Sequence, residues 1–314
     1  MPKSEIGGYM QMETFRGSEY HSDAIRLNSG RHCLEYLLKA RKIKKIYLPY
    51  FLCASLRKVC EKCNVGYELY HIDENFNPLL NEICNDSFVY IVNYYGQKSE
   101  ADVLNFKEKY KNIIVDNAQA FFSKPVSGVD TLYTCRKYFG VADGGYLYTD
   151  SVLAESLETD ISYPRMEFVL GRYELDASTF YKQASDNNKI FENEDLKLMS
   201  KLTRNLLKGI DYNIAISKRN ENFLFLYNNF KDINKLDLVI PDGAFMYPLY
   251  IKNGMEIKKK LAREKIYIPT LWPDVFDLCK KGSIEYDLAE NILPLPVDQR
   301  YGTENMEYIV ESIK

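Results

Sequence analysis

Residues 113–149 have the sequence IIVDNAQAFFSKPVSGVDTLYTCRKYFGVADGGYLYT. Three β-branched residues at the start predict a short buried strand, and Asp116 follows it directly. A glycine pair precedes residues 146–149, which predicts a turn that enters another strand. Asp116 is therefore expected at the carboxyl edge of a sheet, where open α/β folds bind their ligands.

Helical and strand patterns alternate through the first half of the chain. Apolar runs at residues 45–48 and 88–92 predict strands, and residues 31–40 and 103–110 carry apolar side chains at helical spacing. Alternation of this kind is typical of β-α-β units, which build largely parallel sheets. We therefore predict an α/β fold.

The pattern changes after about residue 150, where long polar helices are predicted at residues 196–207 and 210–230. Strand-like runs are found further on, around a helical pattern at residues 255–264; they lie at residues 239–240, 246–251 and 266–268. Because a domain usually has roughly 150 residues, a chain of this length favours two domains. We predict a large domain at residues 1–210 and a smaller α+β domain at residues 211–314.

The composition is that of a soluble globular protein, with 46% hydrophobic and 27% charged residues. The formal net charge of -3 gives no reason to expect nucleic acid or an anionic membrane as a partner. The first residues lack the apolar core of a signal peptide, and no window approaches the roughly 18 apolar residues of a spanning helix. We expect a cytoplasmic protein.

Cysteine and histidine are distributed in a way that argues against metal chemistry. The seven cysteines are scattered along the chain, which favours reduced thiols over a disulfide framework. Cys60 and Cys63 have C-x-x-C spacing, but they lie late in a helical pattern and no second pair accompanies them. The three histidines form no metal-binding or triad motif. We expect packing roles for the two cysteines and no metal site.

Three features carry residues suited to chemistry. Asp116 ends a strand, Lys137 follows the hydroxyl of Thr134 by three residues, and residues 29–31 (Ser-Gly-Arg) open a helix. A helix start attracts anions through its free N–H groups and its dipole, and glycine lets the backbone come close. Taken alone, each feature also fits a structural role: a cap or turn for Asp116, a surface lysine for Lys137, and a helix cap for residues 29–31.

Taken together, these features match the needs of a pyridoxal 5'-phosphate (PLP) enzyme. Such an enzyme supplies a lysine that binds the cofactor covalently, a carboxylate for the pyridine nitrogen, an anion site for the phosphate and walls for the ring. Lys137 and Asp116 are candidates for the first two. Thr134 and the helix start at residues 29–31 are candidates for the third.

Five blocks of the sequence together resemble the DegT/DnrJ family of PLP-dependent aminotransferases, which has fold type I. In chain order they are SGRHCLEYLL, IYLPYFLCAS, IVNYYGQKSEAD, IIVDNAQAFF and RKYFGVADGGYLYTD, within residues 25–150. The resemblance implies a mostly parallel, seven-stranded type of sheet flanked by helices, with a smaller α+β domain at the C-terminus. It is fainter after residue 150, where Arg219 and Asn222 fit it.

The resemblance also implies the role of each site residue. Lys137 is expected to bind PLP covalently, Asp116 to meet the pyridine nitrogen, and Gln119 to approach the ring hydroxyl or the ring face. The phosphate is expected at the helix start and Thr134. The cofactor site implied in this way consists of Ser29, Gly30, Arg31, Cys53, Asp116, Gln119, Thr134 and Lys137.

Three departures from the family pattern concern the ring wall, the loop before Lys137 and the substrate. The family usually places an aromatic residue on the ring where this chain has Cys53, so either Cys53 covers the ring face or Tyr50 or Phe51 does. The loop before Lys137 is shorter than the family's usual loop. The whole chain is also shorter than is usual in the family, so loops that recognise a nucleotide are expected to be trimmed.

The resemblance implies transamination, with a small-molecule donor such as glutamate and a keto-sugar acceptor, linked to a nucleotide, in polysaccharide biosynthesis. Lys137 would act as the general base that moves the proton. Two alternatives stay open: a PLP sugar dehydratase and a non-catalytic protein that binds PLP or sugar nucleotides. Dehydratases of the family replace the lysine by histidine, so Lys137 argues against the first.

A homodimer with shared active sites is expected, since fold type I enzymes generally complete their sites across a two-fold interface. Residues 168–181 are rich in aromatic residues and contain Arg172, a composition enriched in interface cores. A surface loop with packed aromatic residues is the alternative for this stretch.

Overall fold

The computed structural model describes residues 6–314 of the chain. Within them, eight strands form a central sheet and two more form a small second sheet. The strands are β1 Ile25–Leu27, β2 Lys45–Pro49, β3 Gly66–Ile72, β4 Pro78–Leu79, β5 Phe88–Val92, β6 Ile113–Asp116, β7 Asp130–Thr134, β8 Gly145–Tyr148, β9 Met246–Tyr250 and β10 Ile292–Pro296.

Helices cover the sheet and make up most of the second half of the described chain. They are α1 Gly30–Ala40, α2 Ala54–Lys62, α3 Glu100–Tyr110, α4 Glu167–Glu174, α5 Tyr181–Asn193, α6 Lys201–Lys208, α7 Tyr212–Phe230, α8 Gly254–Arg263, α9 Val275–Leu278, α10 Ile284–Asn291 and α11 Thr303–Ile313. Short 3-10 helices lie at Tyr94–Gly96 and Tyr163–Arg165. No helix in the described range is long and apolar enough to span a membrane.

The central sheet has the strand order β1-β8-β7-β6-β5-β2-β3-β4. The neighbours β7, β6, β5, β2 and β3 are parallel, whereas β8, β1 and β4 pair in the antiparallel direction. The predicted α/β fold with a mostly parallel sheet is confirmed. The sheet has eight strands rather than seven because the chain turns back at Asp73, whose carboxylate accepts from the amides of Asn75 and Asn77, and the short β4 then pairs with β3.

The structure corrects three predicted elements. The helix predicted at residues 196–207 begins only at Lys201, because Leu198 is extended and forms bridges with Leu27 and Thr159. Residues 239–240 and 266–268 form no strand. The partner of β9 is β10, whose two prolines argue against a strand when only the sequence is considered.

Three clusters of buried apolar side chains hold the described chain together. The largest lies between the sheet and its flanking helices, and it includes Trp272 and Leu288 from the C-terminal part. A second packs the end of α7 against β9, β10 and α11. The third joins Ala215, near the start of α7, to the aromatic residues around β7 and β8. Since α7 contributes to two clusters, the boundary at residues 210 and 211 stays a prediction.

The C-x-x-C pair has a packing role, as expected. Cys60 is buried in the largest cluster and Cys63 caps the end of α2. Burial, followed by the nearby Cys63 and Glu61, raises the pKa of the Cys60 thiol to about 12, which keeps it protonated and unreactive. All seven cysteines are free thiols.

Candidate active site

The candidate site lies where three parallel strands end. Asp116 is the last residue of β6 and Thr134 is the last residue of β7. The register pairs Val92, at the end of β5, with Asp116 and continues from Asp116 to Leu132 on β7. Because the carboxyl ends of parallel strands meet at one sheet edge, Asp116 and Thr134 lie at the same edge.

The start of α1 packs against this edge through a close backbone contact. A Cβ atom on Gly145 would lie only 2.7 Å from the carbonyl carbon of Ser29, so only glycine fits there. A Cβ atom on Gly30 would lie 3.5 Å from the Cβ of Thr134. Ser29 caps the helix by accepting from the His32 amide. The amides of Gly30 and Arg31, in the same first turn, have no carbonyl partner within the helix.

Asp116 is a buried carboxylate with two fixed donors. Its Oδ2 accepts from the Tyr90 hydroxyl at 2.9 Å and its Oδ1 accepts from the Ala118 amide at 2.8 Å. Burial raises the pKa of Asp116, and the charge of Lys137 together with the two hydrogen bonds opposes the rise. The carboxylate therefore has a fixed orientation at the sheet edge, and its pKa depends on the charge of Lys137.

Lys137 lies in the same neighbourhood, on the turn that follows β7. Lys137 keeps part of its surface exposed, yet the residues packed around it remove much of the water from its amine. This desolvation lowers the pKa of the Lys137 amine, against the opposing charges of Asp116 and Cys53. The Lys137 Nζ is 5.4 Å from the centroid of the Phe245 ring.

Gln119 is buried and has one unused donor. Its Oε1 accepts from the Tyr95 amide at 2.9 Å, whereas its Nε2 has no hydrogen-bond partner among the described residues. A buried amide nitrogen without an acceptor costs about 1–3 kcal/mol, so the site favours a ligand with an acceptor at this point. Tyr95 has a φ of 54°, a left-handed conformation that is uncommon outside glycine and is concentrated at functional loops.

The structure narrows the choice of a ring-covering residue. Phe51 is buried and packs on Trp272 with ring centroids 4.3 Å apart, and Tyr50 stacks on His71. Cys53 is exposed at the start of α2 and lies near Lys137, whose pKa responds to it. Of the three candidates, Cys53 is the one that is exposed and lies near Lys137.

A cluster of three arginines borders the site, and the sequence indicated only one of them, Arg31. This arginine cluster consists of Arg31, Arg136 and Arg165. The guanidinium carbons of Arg136 and Arg165 lie 4.6 and 5.0 Å from the centroid of the Phe191 ring. Burial, followed by the charges of Arg31 and Arg165, lowers the pKa of Arg136 to about 10. The sequence indicated Arg31 as a candidate for the phosphate site, the only signal for Arg136 was its position next to Lys137, and nothing indicated Arg165.

Arg219 and Asn222, on α7, tie the lysine turn to the C-terminal part of the chain. Arg219 is fully buried and donates to the carbonyl oxygens of Ala244 and Tyr138 and to the Gln299 side chain. Asn222 donates to the carbonyl oxygens of Val297 and Tyr301. Arg219 therefore holds the residue after Lys137 and has no surface for a partner chain.

Comparison with known proteins gives structural matches only. No family model matches the chain, and no curated protein matches its sequence. Solved structures match with probability 1.00. A DegT DnrJ EryC1 StrS aminotransferase from Brucella abortus is 14% identical with a TM-score of 0.62, over 92% of this chain and 84% of its own.

Two further structures agree. The ntda protein of Bacillus subtilis, solved with bound cofactor PMP, is 14% identical with a TM-score of 0.64 and covers 92% of this chain and 72% of its own. A sugar aminotransferase from Micromonospora echinospora is 13% identical with a TM-score of 0.60, over 93% of this chain and 87% of its own. The chain therefore has the fold of the DegT/DnrJ-type aminotransferases, as the sequence predicted.

Proposed function

We propose that the protein is a PLP-dependent aminotransferase that moves an amino group from an amino-acid donor to a keto-sugar. The observation that carries the proposal is that Asp116, at the carboxyl end of β6, lies near enough to Lys137 for each to affect the other's charge, while Thr134 at the end of β7 lies against the start of α1. When bound, PLP supplies a cationic pyridine ring that stabilises negative charge on the substrate carbon. The fold shared with aminotransferases of known structure supports the same class.

The residues of the cleft fit this cofactor. The first amides of α1 and the Thr134 hydroxyl would hold the phosphate, because Gly30 lies against Thr134 and a helix start offers free N–H donors to an anion. The unused Nε2 of Gln119 provides a donor that needs an acceptor. Cys53 would contact the ring face, and Ser29 and Arg31 flank Gly30 at the helix start.

Asp116 would hold a proton on the pyridine nitrogen. An ionised carboxylate favours a cation within hydrogen-bonding distance, and a cation in turn favours the ionised carboxylate. Burial alone works against ionisation of Asp116, but Lys137, Tyr90 and the Ala118 amide already oppose that effect. A second positive charge at the same carboxylate would strengthen the ionised form.

Lys137 would bind the cofactor covalently and then move a proton as the general base. Both roles need a neutral amine, and desolvation lowers the pKa of Lys137 in the direction that supplies one. The turn that carries it is fixed, since Arg219 and Gln299 donate to the Tyr138 carbonyl at 3.3 and 3.0 Å. The positioned amine makes a histidine base unnecessary.

The donor is expected to be glutamate and the acceptor a keto-sugar linked to a nucleotide. The name of the Micromonospora echinospora structure, a sugar aminotransferase, supports a sugar acceptor. The test is a two-step assay: glutamate should change the visible absorbance of the PLP-bound protein, and a nucleotide-linked keto-sugar should restore it. A protein that binds PLP but never responds to amino donors would instead support the non-catalytic alternative.

The expected location of the protein is the cytoplasm. Its seven free thiols are in keeping with a reducing compartment of this kind.

We further propose a homodimer that uses the surface around α4. This surface exposes large apolar side chains that its own chain leaves uncovered: Ile161, Tyr163, Leu170, Tyr173, Leu175 and Tyr181. Apolar surface of this extent is typical of interaction sites, and a second copy of the chain is the occupant that two-fold symmetry favours. Sedimentation of the purified protein gives the oligomeric state directly.

A further inference from the structure

The arginine cluster is assembled from distant segments around one aromatic ring. Arg31 lies in the first turn of α1, Arg136 on the turn after β7, and Arg165 in the 3-10 helix before α4. The Phe191 ring, on α5, lies beneath the guanidinium groups of Arg136 and Arg165, and it lines one small pocket together with Arg31. Cation–π contacts of this kind stabilise the guanidinium groups but give them no counterion.

Each member of the cluster has a buried nitrogen without a hydrogen-bond partner among the described residues. These atoms are Nη1 of Arg31, Nε of Arg136 and Nη1 of Arg165. The Arg165 side chain is only 10% exposed. Buried polar groups are nearly always paired in native proteins, so three unused donors in one place indicate a missing acceptor.

The neighbouring carboxylates do not neutralise the cluster. Asp160 pairs with Arg165 at 2.5 Å, but Glu192 pairs with Lys58 at 2.9 Å. Asp143 accepts from the amide and hydroxyl of Ser200 and from the Thr203 hydroxyl, so its oxygens are used. Three partly buried arginines, each with a buried nitrogen that lacks a partner, thus share one paired carboxylate. An anion with several oxygens would complete the site.

The cluster lies beside the phosphate end of the proposed cofactor site. Arg31 follows Gly30, which lies against Thr134, and Arg136 precedes Lys137 and acts on its charge. We propose that Arg31, Arg136 and Arg165 bind the phosphate ester of the cofactor, so that one chain supplies the charge that neutralises it. The proposal rests on the proposed function, because it names the cofactor as the source of the phosphate.

The test measures PLP affinity of the cofactor-free protein, with Arg136→Gln and Arg165→Gln as variants. A charge-assisted hydrogen bond in a buried site is worth roughly 10- to 100-fold in affinity, so each variant should weaken PLP binding by about that factor. Affinity for pyridoxal, which lacks the phosphate, should change by less than about 3-fold. Arg263→Gln, an exposed arginine on α8, is the matched control and should leave both affinities unchanged.

Inorganic phosphate provides a readout that does not depend on PLP or on activity. It should raise the melting temperature of the cofactor-free parent protein, and this rise should be smaller in both cluster variants than in Arg263→Gln. Arg136→Lys should recover part of the PLP affinity if it restores the charge.

The outcomes separate the two proposals. Variants that bind PLP as tightly as the parent overturn the role of the cluster and leave the proposed function standing. If the variants lose affinity for a nucleoside diphosphate rather than for PLP, the cluster serves a substrate and the cofactor assignment is wrong. A parent protein that is stabilised by phosphate but binds no PLP retains an anion site and refutes the proposed function.

Discussion

Replacement of Asp116 by Asn gives the sharpest separation of a chemical role from a structural one. The amide keeps the size of the side chain and one oxygen acceptor, but it removes the charge that would hold a proton on the pyridine nitrogen. An opposite charge at hydrogen-bonding distance shifts a pKa by roughly one to three units. At about 1.4 kcal/mol per unit, the loss is about 1.4–4 kcal/mol, or roughly 10- to 1000-fold in rate.

The upper part of this range is expected, because the Asp116 carboxylate is buried and held by Tyr90 and the Ala118 amide. The assay is the rate at which glutamate changes the visible absorbance of the PLP-bound protein. Covalent binding of PLP should persist, since Lys137 is intact. Asp130→Asn is the matched control, a buried aspartate at the other end of β7 whose partner is Arg41. It should react at the parental rate.

Although Asp116→Asn should slow the reaction with glutamate, it should not lower the stability of the cofactor-free protein. The pKa of Asp116 is higher in the folded protein than in the unfolded chain, because burial disfavours the ionised carboxylate. The free energy of unfolding therefore decreases as the pH rises from the unfolded pKa to the folded pKa. At neutral pH, Asp116→Asn should therefore unfold at an equal or higher urea concentration than the parent. A variant that reacts with glutamate as fast as the parent would refute the assigned role of Asp116.

Three further predictions follow from the same geometry. The rate at which Lys137 binds PLP covalently should rise with pH, with a midpoint below the pKa of an ordinary lysine. Asp116→Asn should lower this midpoint further, because the charge of Asp116 raises the pKa of Lys137. An unchanged midpoint in Asp116→Asn would contradict this coupling. Arg219→Met should lower the free energy of unfolding, measured in urea, by about 3–5 kcal/mol, whereas Arg263→Met should change it by less than about 0.5 kcal/mol. Equal changes would mean that the buried hydrogen bonds of Arg219 contribute little. The protein should sediment as a dimer, and Tyr173→Glu should weaken it; a monomeric parent would exclude the proposed interface.

Sequence reasoning located the sheet edge because the relevant signals are local. Three β-branched residues before Asp116 predict a buried strand, and the glycine pair before Tyr146 predicts a turn, without reference to distant residues. The same reasoning missed β10, since Pro294 and Pro296 are tolerated there by the two-stranded sheet. It also extended a helix over Leu198, whose extended conformation depends on strand partners far away in the chain.

The candidate site was predictable only in part, because several of its residues meet through contacts between distant parts of the chain. The sequence left Cys53, Tyr50 and Phe51 as equal candidates for the ring wall, and only tertiary packing shows that Phe51 is covered by Trp272. The arginine cluster brings together residues from three segments of the chain. Arg31 and Arg136 lie in blocks that resemble the family, but no local pattern indicates that they meet Arg165. Contacts of that kind arise from the fold and leave no local pattern.

The central claim is that Lys137 binds the cofactor covalently. Borohydride reduction of the PLP-bound protein, followed by peptide mass mapping, tests it directly. The modified peptide should contain Lys137, the modification should vanish in Lys137→Arg, and it should persist in Lys124→Arg, an exposed lysine of the same region. A cofactor adduct on a different lysine, or no adduct at all after reduction, would contradict the claim.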